Sequence, residues 1–164
     1  MPSAITKYTS FDDIRAVLGV STEELEDITL SLDLYSNYLQ MELEDVDLTL
    51  PDTYVTVKAL PLPITVAQER FLQSVRLYAT YSVAKHLTAS LPLFSAKSVA
   101  DGKATVQRFD NPYKDTIAEV VRQCDKMRTR LIAALTAIGS TQAAATTLNY
   151  VTVSTPSTDP VTGV

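Results

Sequence analysis

The side chains most able to do chemistry are few, and their spacing is unpromising. His86 is the only histidine in the chain and stands beside Lys85. A catalytic imidazole needs a nucleophile or an orienting carboxylate within reach, and no motif supplies one. A partly exposed or hydrogen-bonded helix histidine is the expectation. Cys124 is the only cysteine and falls on an apolar helix face, where a thiol is buried and inert. One histidine and one cysteine cannot build a zinc site. A lone cysteine also forms no intrachain disulfide, which suits a reducing compartment.

Glu42, Glu44, Asp45, Asp47 and Asp52 cluster, but without the ligand positions, turn glycine and closing glutamate of a calcium loop. They read as a solvated acidic arm or an acidic surface facing a partner or channel. Arg122, Arg128 and Arg130 sit among acids at helical spacing, as surface or intersubunit pairs do. There is no Gly-rich phosphate loop, HExxH or GxSxG. No catalytic residue, metal ligand or cofactor is assigned, and the chain is not expected to be an enzyme.

The elements that would carry these residues are helical. Residues 65–91 read as one long helix, opened by a Thr65/Gln68 capping box and stopped by Pro92. Phe71, Val75, Tyr78, Ala79, Val83 and Leu87 form one apolar stripe. Leu72, Leu77, Tyr81 and Ala84 extend it around the circumference, so neighbours must wrap this spine. Arg70, Arg76, Lys85 and His86 interrupt it too often for a membrane span.

Ser10 caps a short helix, FDDIRAVL, with Asp12 and Asp13 in its first turn and Gly19 at its C-cap. A Ser21/Glu24 capping box opens a helix over about residues 22–43. It carries one stripe of Leu25, Ile28, Leu32, Tyr35 and Leu39, and a second of Leu30, Leu34, Tyr38 and Met41. Two stripes mean a wide buried face, or one face for the core and one for a neighbouring subunit. Over 43–58 the pattern turns to period two, predicting a small β-hairpin or extended arm, and Leu60–Pro63 reads as an extended linker. Residues 93–111 are too long for a plain connection, and Asp101-Gly102 predicts a projecting hairpin turn. Asn111 and Pro112 open the last helix, which carries Ile117, Val120, Val121, Cys124, Met127, Leu131, Leu135 and Ile138 on one face and ends at Gly139. The Thr/Ser/Pro-rich residues 141–164 read as an extended docking tail in which TLNYVTV is able to pair as a strand.

The expectation is a mainly α protein. A bundle of about four helices forms a domain over 1–140, followed by the tail. The 164 residues, 46% apolar and 20% charged, suffice for a core. Four glycines and no tryptophan argue against a turn-rich β protein. A net charge of −5 and a pI near 4.8 disfavour sequence-reading nucleic-acid binding. MPSAITKYTS lacks the basic and apolar regions of a signal peptide, and no membrane anchor is expected.

The opening SFDDIRAVLGVSTEEL, the apolar helix ending in HLTASLPLF, and SVADGKATVQRFDNPYKD feeding the last helix together resemble the head–tail connector, or adaptor, proteins of tailed bacteriophages. The resemblance spans about residues 8–140 and departs from the simplest connectors after Gly139. It implies a structural virion protein assembled in the host cytoplasm. Such a homo-oligomeric ring, commonly a dodecamer, docks beneath the portal, extends the DNA channel for genome ejection, and carries the tail nozzle or tail-completion proteins. DNA would pass through without sequence-specific binding. Leu30, Leu34, Tyr38, Tyr78, Tyr81, Arg122 and Arg128 are the candidate inter-subunit contacts. Asp101, Gly102, Arg108, Leu148, Tyr150, Val151 and Val153 are candidates for docking a partner. Glu42, Glu44, Asp45 and Asp47 are candidates for an acidic channel surface. The alternative from another class is a cellular helical scaffold or regulatory domain acting as a monomer or dimer.

Overall fold

The computed structural model describes residues 4–88, 98–101, 104–107 and 114–151, with side chains omitted from both strands and beyond Gly139. The protein is mainly helical. A 3-10 turn, Ala4–Lys7, leads into α1 (Phe11–Leu18), α2 (Asp27–Leu30), α3 (Asp33–Glu44), α4 (Leu50–Lys58), α5 (Val66–Leu87) and α6 (Lys114–Val151). Strands β1 (Ser98–Asp101) and β2 (Ala104–Gln107) pair antiparallel, with Ser98 opposite Gln107 and Asp101 opposite Ala104.

α5 is the buried spine. Thr65 accepts from the Gln68 amide while the Gln68 side chain takes the Thr65 N–H, a complete capping box that fixes where the helix starts. Its buried residues run around most of the circumference, and α1, α3, α4 and α6 all pack on it. Phe71, Val75, Tyr78 and Leu87 join Leu39 and Leu43 of α3, Leu50 and Val57 of α4, and Cys124 and Leu131 of α6 in one core. α1 is pinned across it by Arg76, whose Nε and Nη2 reach Asp13 Oδ2 at 3.0 and 2.6 Å. α1 begins at Ser10, whose hydroxyl accepts from the Asp13 amide, and ends at Gly19 with φ 68°, the left-handed conformation glycine adopts freely.

Three sequence expectations are corrected. The helix expected over 22–43 is broken. The Ser21/Glu24 box forms, but residues 22–25 make a turn, and Leu32 is extended between α2 and α3. Ser31 Oγ bonds back to the Ile28 carbonyl at 2.8 Å, a local alternative to continuing the helix. The break re-phases the chain, so that Leu25, Leu30, Leu39 and Leu43 are buried while Ile28 and Leu32 face water.

Residues 43–58 are no β-arm either. An Asp47 side chain accepting from the Thr49 N–H and hydroxyl makes a tight turn, Pro51 occupies the first helical turn, and α4 buries Leu50, Tyr54 and Val57 at helical spacing. Tyr54 also stacks at a tilt on Tyr8, with 4.9 Å between ring centres, and donates to the Lys7 carbonyl, which ties the N-terminus down.

Finally, α6 does not stop at Gly139 but runs to Val151, so 141–151 are helical rather than extended. One internal glycine costs a helix about 1 kcal/mol, too little to end it when good helix formers follow, as Ala143–Ala145 do. The expected cap at Asn111-Pro112 and residues 152–164 of the tail lie outside the described residues.

Candidate functional site

α3 is the element on which the chemistry and the unused surface meet. Ser36, Leu39 and Leu43 point into the core. Leu34, Tyr38 and Met41, at i, i+4 and i+7, occupy the opposite side, and Leu34 and Met41 are 54% and 61% exposed. Upstream, Ile28, 70% exposed, and Leu32 also face water. A helix needs one apolar stripe to pack on its own core, so a second one facing water is surplus to folding.

The two sides are held apart by Glu42. Its Oε1 accepts from Lys85 Nζ at 2.7 Å, its Oε2 from the Tyr78 hydroxyl at 2.8 Å. His86 Nε2 lies 3.3 Å from the same Oε1 without hydrogen-bond alignment, and its ring stacks on Tyr38 with centres 4.3 Å apart and planes 11° from parallel. Burial works against the Glu42 charge, but the hydrogen bonds from Lys85 and Tyr78 outweigh it and hold the carboxyl below its ordinary value of 4.5. Burial, then the neighbouring carboxylate, pushes the Tyr78 phenol above its usual range. Burial alone would lower Lys85, yet its bond to Glu42 leaves the ammonium raised. Cys124 nearby is pushed up to about 11 by burial, as an inert thiol is. Each group is driven further into its resting protonation state. This cluster fastens α3 to α5.

A groove of about 720 Å³ lies between antiparallel α5 and α6, lined by Val66, Leu77, Met127, Ala133 and Ala134, with Arg70 and Arg130 at its edge. Among the described residues the other arginines are engaged. Arg15 bonds the Leu25 carbonyl at 2.8 Å and pairs with Asp12 and Asp27; Arg76 pairs with Asp13, and Arg122 with Glu119. Arg128 donates to the Asp45 carbonyl at 3.1 Å. Arg70 and Arg130 are exposed with no ion pair among the described residues. Charge is segregated to match: from Ala16 to Val57 the chain has no lysine, arginine or histidine, but more than half of its 19 acidic residues.

The candidate residues sort unevenly onto this geometry. Leu34 and Tyr38 are on the free α3 face, Tyr38 with one side on His86. Leu30 and Tyr78 are core residues, fully covered by their own chain, and so cannot contact a neighbour directly. Tyr81 is half-buried beside α1 and α6. Arg122 pairs at 2.7 Å within its own helix, holding the Glu119 carboxyl down to about 2, and Arg128 is spent on α3.

Of the acidic set, Glu42 is a structural fastener rather than a channel residue. Glu44 accepts from Gln40 at 2.6 Å, Asp47 builds the turn into α4, and Asp45 faces water. Asp101 closes β1, and Leu148, Tyr150 and Val151 fall on the last turns of α6; Gly102, Arg108 and Val153 lie outside the described residues. The Arg70/Arg130 groove was not singled out from sequence. No spacing in the sequence marks it, since Arg76, Arg122 and Arg128 likewise have no acid at i±4.

No group of three or more metal-binding side chains occurs among the described residues, and no helix among them is long and apolar enough to cross a membrane. Compared with models of known protein families, with curated proteins and with solved structures, the chain finds no match.

Proposed function

We propose that this protein is a head-to-tail adaptor of a tailed bacteriophage, a structural subunit that assembles as a ring beneath the portal and presents a platform for the tail. The observation that carries the reading is α3, apolar on two opposite sides, with only one side used by its own core. A closed ring of identical subunits needs two different complementary surfaces on each copy, and an outward apolar helix face is one such surface. Fastening of that helix by Glu42, Tyr78 and Lys85 supports it, because a pre-organised surface loses little entropy on assembly. The acidic segment supports passage of DNA rather than binding, since surface carboxylates such as Asp45 repel phosphate. In this reading the β1–β2 hairpin and the segment beyond Val151 are the arms that meet the portal and the tail proteins.

Electron microscopy of the chain mixed with portal rings tests it. A ring of density beneath the portal, commonly twelvefold, is the expected result. A chain that stays monomeric at high concentration and does not bind portal rings would overturn it.

A further inference from the structure

We infer that the free apolar face of α3 in one copy seats in the α5–α6 groove of the next copy. The inference rests on the ring reading and names its contact. Shape comes first: Leu34, Tyr38 and Met41 project from α3, whereas Ala133 and Ala134 leave α6 shallow beside Leu77 and Met127. Large side chains of one helix pack where another carries small ones. Charge makes the choice of occupant. The groove's edge holds Arg70 and Arg130, the two described arginines without an acidic or carbonyl partner. The α3 surface is flanked by Asp33 and Asp45, both exposed and without an ion pair among the described residues. Complementary charges around an apolar centre fix register between copies.

A chain cannot satisfy itself in this way. Glu42 holds α3 on α5, and Arg128 of α6 reaches the Asp45 carbonyl, so α3 lies on the Arg128 side of α6. Arg130, two positions along the same helix, points elsewhere, into the groove. The outward face of α3 and the groove are therefore separate surfaces, and pairing them between copies is head-to-tail. Residues 152–164 of the same chain are a poorer occupant, with Asp159 their only charged side chain.

Two full-length variants test the contact, Leu34→Cys and Ala133→Cys, mixed in equal amounts and treated with a short bis-maleimide. The native Cys124 is buried and contributes little background. A Leu34→Cys/Ala133→Cys adduct in the mixture, with only background from either variant alone, is expected. A second arm reverses charge. Arg70→Glu/Arg130→Glu and Asp33→Lys/Asp45→Lys each weaken association about tenfold or more in sedimentation, and a one-to-one mixture restores it, because the reversed α3 surface then meets the reversed groove and the native α3 surface the native groove. Circular dichroism confirms that the variants fold. Adducts of Leu34→Cys with itself mean face-to-face pairing and overturn the inference. So does native assembly without the mixed adduct, as when residues 152–164 fill the groove, and the ring reading then survives. A native chain that neither self-associates nor binds portal rings removes both.

Discussion

Glu42 illustrates how a single carboxylate can look like surface from sequence and be a fastener in the fold. It serves Tyr78 and Lys85 at once from a position only partly exposed. Because its folded pKa lies below the ordinary 4.5, the unfolded chain binds more protons in the window just below that value. Its contribution is complete above about pH 4.5 and is lost as pH falls through the lowered folded value. Glu42→Gln should flatten this part of the stability–pH curve and cost about 1–2 kcal/mol near neutrality, discounted for partial exposure. Denaturant unfolding of both proteins between pH 3 and 7, taken in steps of about half a unit, checks it. Equal acid slopes for the two would count against the assignment. The chemistry of His86 and Cys124 was read from scarcity of partners, and the structure puts both where that reading has them, one half-buried and stacked, the other in the core.

At the scale of elements, α1, α5 and the body of α6 were legible because their caps and stripes agree. Ser10, Gly19 and Thr65/Gln68 mark boundaries that the hydrophobic period independently requires. α4 was missed because its β-branched Val55, Thr56 and Val57 imitate a strand, whereas burial of Leu50, Tyr54 and Val57 against α5 selects the helix. Gly139 was misread as a stop for a related reason: a glycine is a cap only if the chain turns left-handed there. Its φ is not positive, and an added Cβ would meet nothing within 4 Å. Gly139→Ala should therefore stabilise the protein by about 0.5–1 kcal/mol, seen as a raised midpoint in thermal or denaturant unfolding. A loss of stability would restore the cap reading.

For the whole molecule, the proposed assembly uses the side of α3 opposite to the one folding uses, so the two should be separable. Leu34→Gln with Met41→Gln keeps good helix formers at exposed sites, and unfolding free energy should change by no more than about 0.5 kcal/mol. Association measured by sedimentation should be abolished. A large fall in stability would mean that these side chains serve the core. The charge map belongs to this scale as well. Acids concentrated between Ala16 and Val57 and arginines at the α5–α6 groove give the chain two unlike surfaces, as the proposed head-to-tail ring needs.

The sequence by itself determined the helical class, the spine and its capping box, because these follow from residue type and local period alone. It also held the surplus stripe of α3, since Leu34, Tyr38 and Met41 share a face whatever surrounds them. Only the tertiary structure decided which of two stripes the core takes. At Ser31-Leu32 a local hydroxyl bond competes with the helix, and α3 starts afresh after an extended Leu32. The packing of α2, α3 and α5 put Leu30 and Tyr78 in the core and left Leu34 and Met41 in water. The tertiary structure also set Arg128 and Arg130, two polar positions of one helix, to different tasks: one holds α3, the other borders the groove.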